Sequence, residues 1–172
     1  MNKNVLFTLL LMGTILMSSC GSKDDECTKT LEITHYAFEN NKFKPYFVME
    51  EVSCDFVAED MGPPALKNFS YEVLNFIFIP DTGNKTSRLK FEIKLNNPNN
   101  YAVEGLAYIT LRAADDDFEY TGTYSNLASV PCYKISANSS CTLTYDVESP
   151  YNPNVGAPES MGVVKVEYYV AN

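Results

Sequence analysis

The sequence predicts an all-β protein built as an antiparallel β-sandwich. Beyond residue 30 the apolar positions recur with a period of two, not 3.6, so successive side chains belong to opposite faces of a strand. Clusters rich in Pro, Gly, Asn and Asp interrupt these runs roughly every 8 to 15 residues, the punctuation expected between short antiparallel strands. No long helical pattern follows the N-terminal apolar run; at most a short turn is expected near residues 63–68 or 124–129.

The chain opens with Met1, Asn2, Lys3 and Asn4, one positive charge ahead of the apolar run VLFTLLLMGTILM at residues 5–17. As a helix that run reaches only about 20 Å, against roughly 30 Å of bilayer hydrocarbon. A basic start, a short apolar core and then small residues make residues 1–19 a secretory signal peptide.

The small residues end at Cys20. LMSSC resembles a bacterial lipobox, with Met17 where the usual leucine stands and Leu16 one place earlier. The resemblance implies cleavage before Cys20, lipidation with acyl chains such as palmitate, and anchoring in a membrane, each buried methylene contributing about 0.8 kcal/mol. Lys23, Asp24, Asp25 and Glu26 follow. They resemble the export signal of Bacteroidota surface lipoproteins, which implies an outer-membrane protein displayed on the cell exterior. The same residues also read as a solvated tether, residues 20–29.

Removing residues 1–19 takes away Lys3 alone and leaves 12 Lys and Arg against 22 Asp and Glu, a formal charge of about -10. No basic stretch offers phosphate contacts, so nucleic acid is not an expected partner. Beyond the tether about 145 residues remain, enough for one buried core and one domain, residues 30–172.

Four more cysteines follow Cys20, an even number that fits two disulfides in an exported chain. Closeness in the chain favours Cys27 with Cys54 and Cys132 with Cys141. The competing arrangement joins Cys54 to a downstream cysteine across two sheets. A zinc site is disfavoured, because no C-x-x-C pair exists and His35 is the only histidine. His35 itself reads as a surface or half-buried strand residue.

The clearest strand is SRLKFEIKLNN, in which Leu89, Phe91, Ile93 and Leu95 alternate with Lys90, Glu92, Lys94 and Asn96. Leu143, Tyr145 and Val147 repeat the pattern, as do Val164, Val166, Tyr168 and Val170. GLAYITLRA sets Leu106 apart from Ala107, Ile109 and Leu111. NFIFIP (75–80) and SCDFVAE (53–59) are apolar on both faces and are expected as central strands. PDTGNKTS at 80–87 predicts a hairpin, while residues 59–68, 96–105 and 149–162 read as loops.

LKFEIKLNNPNNYAVEGLAYITL and ISANSSCTLTYDV resemble immunoglobulin-like accessory domains of bacterial surface proteins. The resemblance spans residues 86–170 and implies an immunoglobulin-like core over 69–172, with residues 30–68 as extra N-terminal strands and a loop. It departs from that family's hallmark in having no tryptophan to pack on an inter-sheet disulfide.

Catalytic machinery is not expected. One histidine and no G-x-S-x-G disfavour a serine hydrolase, and the carboxylates fall mostly on outward strand positions or in loops. No cofactor is expected. Asp115, Asp116 and Asp117 form a weak calcium candidate, since the D-x-D-x-D-G spacing is missing. Tyr101, Tyr120, Tyr124 and Tyr151 are the loop or loop-edge aromatics that can face a ligand. The sequence therefore favours a non-enzymatic binding or assembly module, anchored by lipid, whose edge strands or loops meet a protein or glycan. A carbohydrate-binding accessory of nutrient uptake is the alternative, and a small hydrolase the third reading.

Overall fold

Leu89, Phe91, Ile93 and Leu95 sit on one face of the strand Thr86–Asn97 and turn inward, the last three without exposure to solvent. Around that face the chain builds a sandwich, seen in a computed structural model that describes residues 27–57, 62–113, 118–152, 154 and 156–171. The strands in chain order are β1 (Thr28–Glu39), β2 (Lys42–Ser53), β3 (Ser70–Ile79), β4 (Thr86–Asn97), β5 (Val103–Ala113), β6 (Glu119–Thr123), β7 (Lys134–Ile135), β8 (Ser139–Pro150) and β9 (Met161–Val170). One sheet runs β3-β4-β8. In the other, β5 is central, with β9 along one edge and β6 and β7 along the opposite edge. All pairings are antiparallel, so among the described residues the fold is the all-β sandwich that period-two alternation predicts. The predicted short turn near 124–129 is a single 3-10 turn, Ser125–Leu127.

The two sheets meet through Ile93, Leu95 and Leu143 on one side and Ala107, Ile109, Leu111, Val166 and Tyr168 on the other. Aromatic rings fill the volume that no tryptophan occupies. Phe91 lies parallel to Tyr145 at 5.0 Å and to Phe76 at 6.4 Å, and Tyr124 closes on it edge-first at 5.5 Å. Tyr168 is fully buried, and its hydroxyl donates to the Cys132 carbonyl at 3.0 Å. Burial pushes that phenol well above the ordinary tyrosine value.

Two strand assignments differ from expectation. NFIFIP lies in β3, an edge strand, not a central one. A register shift between Val73 and Asn75 changes which parity of β3 faces inward just before this segment. Tyr71 and Val73 stand opposite the inward-facing Leu95 and Ile93, and past the bulge Phe76 and Phe78 take over that face. Ile77 and Ile79 are left outside, beside Arg88 and Lys90, whose aliphatic stems can cover them. SCDFVAE forms no central strand: Ser53 ends β2, Cys54 and Asp55 turn, and Phe56 and Val57 are irregular. Its residues 58 and 59 lie outside the described part.

Gly105 of β5 stands opposite Val170 of β9 and leaves no room for a side chain. A methyl group there would meet the Tyr169 carbonyl oxygen at 1.9 Å and the Tyr168 ring at 3.1 Å. Gly105→Ala must push the central strand β5 and its neighbour β9 apart, and we expect it to destabilise the sandwich by about 2–3 kcal/mol. The check is a lower denaturant midpoint at an unchanged slope.

Candidate functional site

β1 and β2 join neither sheet. Among the described residues they pair only with each other, residue for residue from Thr28 with Ser53 to Glu39 with Lys42. Asn40 and Asn41 close the turn with φ of 51° and 59°, the left-handed pair of a two-residue hairpin that asparagine tolerates. At the open end Cys27 and Cys54 form a disulfide, and the Cys54 N–H donates to the Cys27 carbonyl at 2.9 Å. The Lys29 ammonium donates to the carbonyls of Cys54 (2.9 Å) and Phe56 (3.2 Å), fastening the same end. Nearby Asp55 is held below the ordinary carboxylate range, first by the Ser53 hydroxyl, then by backbone donation and the Lys29 charge. A lowered carboxylate contributes while ionised and loses its contribution as pH falls through its folded value.

Twelve residues at about 3.3 Å each make a ribbon roughly 40 Å long. Its turn end touches the sandwich, where Phe38 lies 6.2 Å from the Tyr133 ring. The side chains of β1 are mostly half-buried, whereas Tyr46, Phe47, Val48 and Met49 of β2 are exposed, Phe47 and Met49 to 64%. A two-stranded ribbon is marginal in water on its own, so large exposed apolar groups on β2 demand a physical reason. His35 is in β1, half-buried, its Nε2 2.6 Å from Glu50 Oε1 and its ring stacked on Tyr46 at 5.5 Å. It is thus part of the ribbon's own structure. At the other end of β2, Lys44 donates to Glu39 at 2.5 Å.

The four loop aromatics do not converge. Tyr101 is 52% exposed in the bend before β5 and flanks a cleft of about 360 Å³, with Phe38, Glu104 and Val170 on its walls. Tyr120, 48% exposed, packs against Phe118 on the far side of β5. Tyr124 is in the aromatic core, its hydroxyl raised in pKa chiefly by burial and then by Tyr145. Tyr151 follows β8, its N–H donating to the Lys85 carbonyl. The second disulfide joins Cys132 to Cys141 beside β7 and β8, so the two bridges that form are those between cysteines near in the chain. Cys20, Lys23, Asp24, Asp25 and Glu26 lie outside the described residues, as do Asp115, Asp116 and Asp117.

Among the described residues no group of three or more His, Cys, Asp or Glu side chains is placed to hold a metal ion. The feature that sequence reasoning missed is the free-standing ribbon. Its signal was Asn40–Asn41 between two alternating runs, THYAFE and KFKPYF. No family model, curated protein or solved structure matches the chain.

Proposed function

We propose that this chain is an outer-membrane lipoprotein, held through Cys20 and displayed on the cell surface, that docks a protein partner on its β1–β2 ribbon without catalysis. The observation that carries the docking role is the exposure of Phe47 and Met49 on a strand whose outer edge is paired to nothing among the described residues. Unpaired edge groups accept an added strand, and apolar side chains beside them supply the area that such a contact buries. The attachment rests on LMSSC, and the exterior location on the Lys23–Glu26 tether. Lipid at Cys20 would restrict the ribbon to a thin layer above the membrane, where its local concentration is high. A glycan is the second reading. It is favoured by the cleft beside Tyr101, where an exposed ring can stack on a sugar face.

Site-directed photocrosslinking on intact cells tests the proposal. A crosslinker at position 47 is expected to capture a discrete adduct, while one at Lys94, on the outer face of β4, is expected to capture none. Cys20→Ala should release the protein from membranes and abolish the adduct. Membrane retention of Cys20→Ala would overturn the anchor, and equal crosslinking at 47 and 94 would overturn the ribbon.

A further inference from the structure

The partner of the ribbon can be read from the order of charges along β2. From Lys42 the strand runs Lys-Phe-Lys-Pro-Tyr-Phe-Val-Met-Glu-Glu: basic at its start, apolar in the middle, acidic at its end. Laid antiparallel against a copy of itself, such a strand sets each basic end opposite an acidic one. We infer that the outer edge of β2 pairs with β2 of a second copy of this chain, about a two-fold axis passing through Phe47. This inference rests on the ribbon being the docking site and adds who docks there.

The backbone fixes which groups are free for this. The bond from the Cys54 N–H to the Cys27 carbonyl marks that pair as hydrogen-bonded, and bonded pairs alternate along an antiparallel ladder. Phe43, Pro45, Phe47, Met49 and Glu51 therefore direct their backbone groups away from β1. With Phe47 opposite Phe47 of the copy, outward groups meet outward groups: Phe43 faces Glu51, and Pro45 faces Met49. Pro45 has no N–H and forgoes one bond in each chain. Edge prolines limit indiscriminate strand addition, so this edge needs side-chain complementarity besides its backbone.

The same register supplies it. Lys44 falls directly opposite Glu50 of the copy, twice by symmetry, and Tyr46 falls opposite Val48. Within one chain Lys44 and Glu50 are six strand residues apart, about 20 Å, too far to touch. Their present partners do not forbid the exchange. Lys44 bonds Glu39 at a site where both side chains are more than half exposed, and such pairs are weak. Glu50 can keep His35 on one oxygen and accept from Lys44 of the copy on the other. The β1 edge lacks this symmetry: Lys29 is committed to the carbonyls of Cys54 and Phe56, and Glu32 interrupts the apolar centre.

Charge reversal separates this pairing from any structural role, because the two charges can meet only between chains. Sedimentation velocity would be run on the full chain in density-matched detergent. The wild type is expected to dimerise, with Lys44→Glu and Glu50→Lys each at least ten-fold weaker, since each sets like charges against each other. An equimolar mixture of the two variants should recover the dimer. The carboxylate introduced at position 44 of one chain then meets the ammonium introduced at position 50 of the other, and the remaining pair is the native Glu50 against the native Lys44. A wild type that stays monomeric at millimolar concentration overturns the inference. So does a mixture no tighter than its components, or single variants as tight as the wild type. On cells, the position-47 adduct should have twice the monomer mass. A monomeric wild type with an adduct of another mass would sink self-pairing and leave the ribbon as a docking site.

Discussion

Phe91→Ala is expected to cost the sandwich about 4 kcal/mol, the middle of the range for losing a buried phenylalanine. Phe91 has no exposure, and three rings rest on it: Tyr145, Phe76 and Tyr124. Those neighbours come from β8, β3 and the segment after β6, so no single element can move in to close the space. The lost transfer energy and the residual cavity therefore add. Phe91→Leu, which keeps most of the volume, should cost less than half as much. Chemical denaturation at a constant slope is the measurement. A loss below about 1 kcal/mol for the alanine variant would mean that the rings are peripheral to the core.

Opening the Cys27–Cys54 bridge should have an effect of similar size in a different place. The bridge spans 27 residues of sequence, and loop-closure entropy assigns it about 3.5 kcal/mol. The ribbon meets the sandwich mainly near its turn end, and a hairpin without a third strand is marginal. The loss should thus fall on the ribbon alone. With both cysteines replaced by alanine, amide exchange over residues 28–53 is expected to rise a few hundred-fold, the equivalent of that energy at about 1.4 kcal/mol per decade. Strands β4, β5, β8 and β9 should keep their protection. Equal loss across the sandwich would show that the two parts unfold as one.

The contrast between these outcomes marks how far the sequence could be read. In β4 and β8 the alternation of apolar and polar residues identified the inward face residue by residue, because each of these strands has core on one side and solvent on the other. In β9 it did so for Val166, Tyr168 and Val170, but a register shift against β5 leaves Val164 exposed and turns Met161 and Val163 to the core. Leu143 and Tyr145 are buried where Thr142 and Asp146 are not. The reading failed where apolar residues lie on both faces. In β3 that pattern belongs to an edge strand, with Phe76 and Phe78 inward and Ile77 and Ile79 outside beside Arg88 and Lys90. In β5 it came from a central position, with Leu106 and Thr110 buried opposite to Ile109 and Leu111. Sequence alone does not distinguish these cases, since both replace alternation with a continuous apolar run.

The candidate site shows the same boundary. Local sequence determined that residues 28–53 form strands, that Asn40 and Asn41 can turn between them, and that β2 carries opposite charges at its two ends. The attachment reading, too, depends only on short local motifs around Cys20. Whether those strands would enlarge a sheet or stand apart was decided by tertiary structure, because edge pairing is a relation between distant segments and leaves no mark in either one. Alternation says which side of a strand seeks cover; only the assembled chain shows whether it has found any.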